Sequence, residues 1–147
     1  MSDQRDATIL VCPACGTLNR VPAARLNERP VCGSCRAPLL PAAPIETDGA
    51  RLARFLEKDQ LPAVLDLWAP WCGPCRAFAP TFAEAAARLP QVRFLKLDTE
   101  AHAEAAARFG VRAIPTLIGF RGGREVARLS GALPLRDLLA FAERLAA

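Results

Sequence analysis

Two different spacings of apolar residues follow one another along the chain from Asp48 onwards. In the segment DGARLARFLEKDQ, Leu52, Phe55 and Leu56 recur at helical spacing behind Asp48, a favoured helix-capping residue. Helices are also predicted by PCRAFAPTFAEAAARL, by EAHAEAAARF, which ends at Gly110, and by PLRDLLAFAERLAA. Short apolar or alternating runs favour strands at AVLDLWA, VRFLKLD, TLIGF and REVARL.

The order of these elements, α, β, α, β, α, β, β, α, predicts an α/β fold. We expect a central sheet with helices on both faces, in which a parallel β-α-β part is followed by an antiparallel hairpin. Gly122 and Gly123 mark the turn of that hairpin. The segment PIET, just before the first helix, is the only candidate for an initial edge strand.

The first part of the chain is organised differently. Residues 37–46 are rich in proline and small residues, and we interpret them as a linker. This predicts a small module at residues 1–40 and an α/β domain at residues 41–147. A module of about forty residues usually needs a metal, disulfides or a partner in order to fold.

Composition and charge narrow the possible functions. The chain of 147 residues is 52% hydrophobic and 23% charged, as expected for a globular protein. Its formal charge of +4 is evenly spread: residues 1–45 hold five basic and three acidic groups, and residues 46–147 hold fourteen and twelve. Since nucleic-acid binding needs a concentrated basic face, we expect no nucleic-acid partner.

The apolar runs also bear on location. No run approaches the roughly 18 apolar residues of a membrane helix, and the N-terminus lacks the pattern of a secretory signal. We therefore expect a cytoplasmic protein with no membrane partner. The cytoplasm keeps thiols reduced, so its Cys-x-x-Cys pairs more often bind metal or do redox chemistry than form structural disulfides.

Two Cys-x-x-Cys pairs in the first part have the spacing of a metal site. Sixteen residues separate Cys15 from Cys32, which is typical of a zinc ion held by four thiolates, here Cys12, Cys15, Cys32 and Cys35. We expect Gly16 and Gly33 to supply unusual backbone angles for the two turns. A four-ligand zinc site is closed and structural, although iron, two disulfides or four free thiols remain alternatives.

The third pair, in WCGPC, lies between a predicted strand and a predicted helix. Cys72 would then stand at the helix N-terminus, where the helix dipole and free N–H groups stabilise a thiolate and lower its pKa. Pro74 suits the first helical turn. This arrangement predicts that Cys72 attacks a disulfide and that Cys75 resolves the mixed disulfide, leaving a Cys72–Cys75 disulfide. Metal binding by this pair is the alternative.

Residues 48–147 resemble the thioredoxin family. The resemblance is carried, in order, by LDLWAPWCGPC, by AIPT and by a glycine-containing hairpin with a last helix. The two earlier cysteine pairs resemble the zinc-binding bacterial branch called thioredoxin 2. The resemblance implies a thioredoxin fold behind a small zinc-ribbon-like module, with protein-disulfide reductase activity through a Cys72–Cys75 disulfide. It also implies disulfide-containing protein substrates and an NADPH-dependent thioredoxin reductase; we expect a monomer.

Individual site residues are implied by the same resemblance. Asp66, a carboxyl in an otherwise apolar strand, would have a raised pKa and exchange a proton with the resolving thiol, and Lys96 would lie near it. Pro115 would be a cis-proline beside the disulfide. The resemblance places the substrate groove at Trp71, Gly73, Pro74, Ile114, Pro115 and Gly131.

Two other hypotheses remain open from the sequence. The first is a non-catalytic zinc-ribbon adaptor with a thioredoxin-like body, although a scaffold has no need for both sulfurs of WCGPC. In the second, the zinc module of the reductase also senses oxidation, because disulfide formation among its thiolates would release the metal.

Overall fold

The first part of the chain forms a small two-stranded unit. The computed structural model describes residues 6–146. Strands β1 (Ala7–Val11) and β2 (Leu18–Pro22) form an antiparallel hairpin, and a 3-10 turn at Ala23–Arg25 comes after it. Beyond this turn, an antiparallel bridge between Val31 and Pro38 closes a second loop. One Cys-x-x-Cys pair lies in the loop between β1 and β2, and the second lies in the loop before Pro38.

The rest of the chain is built on one five-stranded sheet with the order β3-β5-β4-β6-β7. Neighbouring strands of β3, β5 and β4 pair in parallel, whereas β6 runs antiparallel to both β4 and β7. The strand bounds are β3 Ile45–Thr47, β4 Ala63–Trp68, β5 Arg93–Asp98, β6 Thr116–Arg121 and β7 Arg124–Ser130. The predicted mixed sheet and the weakly indicated first strand in PIET are both confirmed.

Helices cover both faces of this sheet. They are α1 Gly49–Lys58, α2 Gly73–Arg88, α3 Ala103–Ala107 and α4 Leu135–Ala146. One hydrophobic cluster joins α1 and α3 to one face of the sheet, and a second cluster joins α2 and α4 to the other. Successive strand residues point to opposite faces, so Leu65 and Leu67 enter the first cluster and Val64 enters the second.

Local sequence signals account for most element ends. The Asp48 side chain caps α1 by accepting a hydrogen bond from the Arg51 N–H at 2.7 Å. Gly122 and Gly123 both have positive φ, which suits the tight turn of the β6–β7 hairpin. Helix α3 is shorter than predicted at both ends. Residues 108–110 form a turn after it, and before it the Asp98 carboxylate accepts the N–H groups of Glu100 and Ala101 in another turn.

The segment that we interpreted as a linker is partly packed against the protein. Leu39 is fully buried in the hydrophobic cluster of the first module, and residues 45–47 form β3. The proline-rich composition of residues 37–46 therefore reflects an extended, ordered connection and not a free one, because the side chain of Leu39 has a cluster to fill.

A buried ion pair fastens the two parts of the chain to each other. Arg93 on β5 is 2% exposed, and its guanidinium lies 2.9 Å from Asp59 Oδ2. The same guanidinium donates hydrogen bonds to the carbonyl oxygens of Val11 and Leu39, both from the first module. Asp59 in turn accepts the N–H groups of Val11 and Leu61. Each buried charge thus has several partners, which is the condition for an ion pair to persist away from water.

Further polar contacts connect the first cysteine loop to α1. Arg51 donates to the Pro13 carbonyl oxygen at 2.7 Å, and Arg54 donates to the Gly16 carbonyl oxygen at 2.5 Å. Since Pro13 lies between Cys12 and Cys15 and Gly16 comes directly after them, α1 supports the loop that carries the first cysteine pair.

Within residues 6–146, no helix has the length and apolar character needed to cross a bilayer.

Replacing Arg93 tests the buried ion pair. Arg93→Met should lower the free energy of unfolding by about 3–5 kcal/mol, because it leaves the Asp59 carboxylate buried without its cationic partner. Urea unfolding of the variant and of the wild type measures the difference. The control is Arg88→Met, which removes an exposed ion pair with Glu84 and should cost less than about 1 kcal/mol. Equal losses in the two variants would contradict a joining role for Arg93.

Candidate active site and metal centre

The first two cysteine pairs form two loops with the same hydrogen bonds. Cys12 Sγ accepts the N–H groups of Ala14 and Cys15 at 3.4 and 3.5 Å. Cys32 Sγ accepts those of Ser34 and Cys35 at the same two distances. N–H groups directed at sulfur favour the thiolate, and those of Cys35 and Ser34 lower the pKa of the Cys32 thiol.

The four sulfurs of these loops lie in one cluster. All four Sγ atoms are within 4.8 Å of one another. Cys12 Sγ lies 3.6 Å from Cys35 Sγ, and Cys15 Sγ lies 3.7 Å from Cys32 Sγ. With Zn–S bonds of about 2.3 Å, a tetrahedral site places its sulfurs about 3.8 Å apart. The donor set and its spacing therefore fit a zinc ion.

The turns of the two loops differ from our prediction in one detail. Gly16 has a φ of +82°, as expected, but Gly33 does not have a positive φ. The corresponding angle in the second loop belongs to Arg36, at +68°. In both loops the residue with positive φ comes directly after the second cysteine, so the position and not the glycine determines where the chain turns.

The sequence analysis missed Asn19, whose side chain contacts the cluster of four cysteines. Its side chain accepts the Gly33 N–H at 2.9 Å and donates to the Thr17 carbonyl oxygen and to Cys32 Sγ. It therefore joins the two cysteine loops. Its partner Gly33 lies 14 positions away, and a lone asparagine in the sequence gives no signal of this role.

The third cysteine pair lies at the N-terminus of α2. Cys72 is the N-cap residue, and its Sγ accepts the Cys75 N–H at 3.2 Å. Pro74 stands in the first turn, where no helical hydrogen bond is lost. Cys72 and Cys75 form a disulfide, and both are almost fully buried. This disulfide does not include any of the four clustered cysteines.

The residues expected in the substrate groove lie at the end of the sheet that carries this disulfide. The Ile114–Pro115 peptide bond is cis, and Cys72 Sγ lies 3.9 Å from the Ile114 carbonyl oxygen. Gly131, with a φ of +97°, donates its N–H to the Pro115 carbonyl oxygen at 2.7 Å. Trp71 is 64% exposed and shares a surface cavity with Ile114. Gly73 and Pro74 are in the first turn of α2, at the same end of the sheet.

Asp66 lies on β4, near the end of the strand that leads to the disulfide. It is 1% exposed, and neither carboxylate oxygen has a hydrogen-bond partner among the described residues. Burial raises the pKa of Asp66 to about 7, with Lys96 acting in the opposite direction and Glu46 in the same one. A carboxyl that titrates near neutral pH is suited to accepting and returning a proton.

Lys96 is the register partner of Asp66 on the neighbouring strand β5. Its ammonium group lies 4.4 Å from the centre of the Trp68 ring and 3.8 Å from Glu46 Oε2. Glu46 had no role in the sequence analysis. Its contact with Lys96 depends on the register of β3 against β5, which residue pattern does not reveal.

Comparison with known families gives two matches. The family model described as Thioredoxin matches residues 43–144. A zinc-ribbon model described as Thioredoxin 2, N-terminal, matches residues 11–37, which contain all four clustered cysteines.

Individual relatives agree with these matches. Thioredoxin C-3 of Corynebacterium nephridii is 48% identical over 130 residues, covering 88% of this chain and 90% of the relative. Thioredoxin 1 of a Nostoc species is 39% identical over 98 residues, covering 66% of this chain and 91% of the relative.

Solved structures show the same architecture. A thioredoxin variant from Halobacterium salinarum superposes with a TM-score of 0.68 at 27% identity, covering 73% of this chain and 94% of that one. Spinach chloroplast thioredoxin F has the same TM-score and identity, with coverages of 74% and 90%.

The buried Asp66 carboxyl should make stability depend on pH. Its folded pKa of about 7 lies above the ordinary value of 3.8, so the folded state keeps this proton over a range in which the unfolded state has lost it. Stability from protonated Asp66 is full below pH 3.8 and is lost as pH rises through about 7. Between pH 5 and pH 9, oxidised Asp66→Asn should therefore gain about 2–3 kcal/mol relative to wild type.

Urea unfolding at the two pH values measures this gain. The control is Glu143→Gln, which changes an exposed carboxylate on α4 and should show no pH-dependent gain. A constant difference between Asp66→Asn and wild type across this range would show that Asp66 ionises in the folded protein as it does in the unfolded chain.

Proposed function

The chain belongs to the thioredoxin family and is a protein-disulfide oxidoreductase, and we propose that Cys72 and Cys75 are its reacting thiols. The observation that carries this proposal is the position of Cys72 Sγ. It caps α2 and lies 3.2 Å from the Cys75 N–H, where the positive end of a helix stabilises a thiolate.

The first step is attack by the Cys72 thiolate on a substrate disulfide. A bond forms between Cys72 Sγ and one substrate sulfur, the substrate S–S bond breaks, and the other substrate sulfur leaves as a thiolate that takes a proton from water. We assign substrate binding to Trp71, Gly73, Pro74, Ile114, Pro115 and Gly131. The 3.9 Å distance from Cys72 Sγ to the Ile114 carbonyl oxygen and the surface cavity shared by Trp71 and Ile114 support this assignment.

The second step uses Cys75 and Asp66. The Cys75 thiol gives its proton to the Asp66 carboxylate, and its sulfur attacks Cys72 Sγ. The mixed disulfide breaks, and the second substrate sulfur leaves as a thiolate and takes up the proton that Asp66 had accepted. One thiolate and one thiol of the protein have become the Cys72–Cys75 disulfide, and one substrate disulfide, with one proton from water, has become two thiols. Lys96, the register partner of Asp66, lowers the pKa of this carboxyl by electrostatic attraction.

Reduction of the Cys72–Cys75 disulfide back to two thiols needs two protons, and two electrons that another protein supplies. The family implies a thioredoxin reductase as that partner and disulfide-containing proteins as substrates. We propose an NADPH-dependent flavoprotein for the former. We also propose that the chain works as a monomer in the cytoplasm, where such a reductant keeps thiols reduced.

The four clustered cysteines suit a structural metal ion. We propose that Cys12, Cys15, Cys32 and Cys35 hold one zinc ion, which supplies cross-linking of the two loops and no redox chemistry. The S···S distances of 3.6 and 3.7 Å support this proposal. Because four thiolates fill a tetrahedral site, no position remains for a substrate, and the ion would be structural. We assign the zinc-binding module to residues 1–40 and the thioredoxin domain to residues 41–147.

Single serine substitutions separate the two cysteine roles. Cys72→Ser should abolish reduction of a model disulfide protein and keep one zinc ion per chain, because the attacking sulfur is lost and the metal ligands are untouched. Cys12→Ser should lose the zinc and keep most of the turnover, since α2, β4 and β6 carry the redox site. Turnover and metal content are measured on the same samples. The reverse pattern would exchange the roles of the pairs.

The resolving thiol can be tested by trapping. Cys75→Ser should accumulate a covalent complex between Cys72 and the substrate, because no second sulfur is present to break the mixed disulfide. Non-reducing electrophoresis detects the complex, and adding a thiol reductant should release it. The double variant Cys72→Ser with Cys75→Ser is the control and should form none. If Cys75→Ser turned over at the wild-type rate, Cys75 would not be the resolving residue.

A further inference from the structure

Three charged side chains form a row across three neighbouring strands. Glu46 on β3 is the register partner of Lys96 on β5, and Lys96 is the register partner of Asp66 on β4. Register partners in a parallel sheet point to the same face, so the three side chains lie side by side. Their order is carboxylate, ammonium, carboxyl.

The row runs from solvent into the core. The Glu46 side chain is 57% exposed and that of Lys96 is 15% exposed, whereas Asp66 is 1% exposed. The Lys96 ammonium lies 3.8 Å from Glu46 Oε2 and over the Trp68 ring. Asp66 has no hydrogen-bond partner for either oxygen among the described residues. The lysine is therefore held at the outer end of the row.

The charges that act on Asp66 come from this row. Lys96 lowers its pKa and Glu46 raises it, and burial raises it more than either neighbour changes it. On β6, the other neighbour, its register partner is Leu117. The buried side chains of α2 and α4, which cover this face, are apolar except for the Cys75 sulfur.

Glu46 has its own charged neighbours. Its pKa is raised by partial burial and by Asp98, and it is lowered by Lys96 and His102. Asp98 and His102 therefore act on the exposed end of the row, at Glu46.

We propose that Glu46 is a positioning residue for dithiol exchange: its carboxylate holds the Lys96 ammonium at the outer end of the row and so limits the attraction of Lys96 for Asp66. This rests on the proposed role of Asp66 as the proton acceptor for Cys75. Without Glu46, the repulsion between the two carboxylates is lost and Lys96 is free to turn towards Asp66. Both effects favour ionised Asp66.

The direct test is the titration of the Asp66 carboxyl carbon by NMR in the oxidised protein. Glu46→Gln should lower its midpoint by roughly 0.3 to 1 pH unit, as expected for one charge about two strand spacings away. Glu57→Gln is the matched control, because it makes the same chemical change at an exposed site of α1, on the opposite face of the sheet. It should leave the midpoint unchanged.

A second comparison shows whether the effect passes through Lys96. Lys96→Met should raise the Asp66 midpoint. In the Lys96→Met background, Glu46→Gln should shift the midpoint by at most half as much as it does in the wild type. An undiminished shift would overturn the positioning role, because it would mean that Glu46 acts on Asp66 by repulsion alone.

The pH profile of single-turnover substrate release completes the test. Release needs ionised Asp66 in the proposed function, so the acidic limb of the rate in Glu46→Gln should move to lower pH by the same amount as the NMR midpoint. An Asp66 midpoint that is the same in Glu46→Gln and Glu57→Gln would overturn the inference and leave the function of Asp66 intact. A shifted midpoint with an unmoved acidic limb would instead overturn the proton role of Asp66 and, with it, the assignment of Glu46 to the reaction.

Discussion

The buried guanidinium of Arg93 is the interaction on which the arrangement of the two parts of the chain depends. It lies on β5, yet two of its hydrogen bonds go to carbonyl oxygens of the first module and the others go to Asp59. A cation excluded from water requires all of these partners, so neither module can move away without leaving it unsatisfied. The cluster of four cysteines is therefore a fixed neighbour of α1 and of the start of β5.

The buried acids Asp59 and Asp66 differ in their hydrogen bonds. Asp59 receives two backbone N–H groups and a guanidinium, whereas Asp66 receives no hydrogen bond among the described residues. An acid with full partners serves structure. An acid without them keeps its proton up to about pH 7, and this lets it exchange a proton with a thiol at neutral pH.

The three Cys-x-x-Cys pairs are alike in their local geometry. In each, the sulfur of the first cysteine accepts the N–H of the second, at 3.5 Å in the two loops and at 3.2 Å at α2. They differ in the path of the backbone beyond the second cysteine. A residue with positive φ turns the chain back after Cys15 and Cys35, whereas a helix continues after Cys75. The four sulfurs of the first two pairs lie together in one cluster. The two sulfurs of the third pair form a disulfide with each other.

The sequence by itself determined the elements, the fold class and the division of the six cysteines. Periodicity indicates a helix or strand wherever one face is buried, and cysteine spacing reflects the short turns that aim two sulfurs at one point. The glycine pair at the β6–β7 turn and the cap at Asp48 are local signals of the same kind.

Only the tertiary structure decided which distant residues meet. Arg93, Asn19 and Glu46 look like ordinary polar residues in the sequence, because the partners that connect them to other parts of the fold lie 13 to 82 positions away. The register of β3 against β5 places Glu46 beside Lys96, and the docking of the first module buries Arg93 and orders Leu39. Strand register and docking are set by the packing of whole faces, and no local pattern of residues records them.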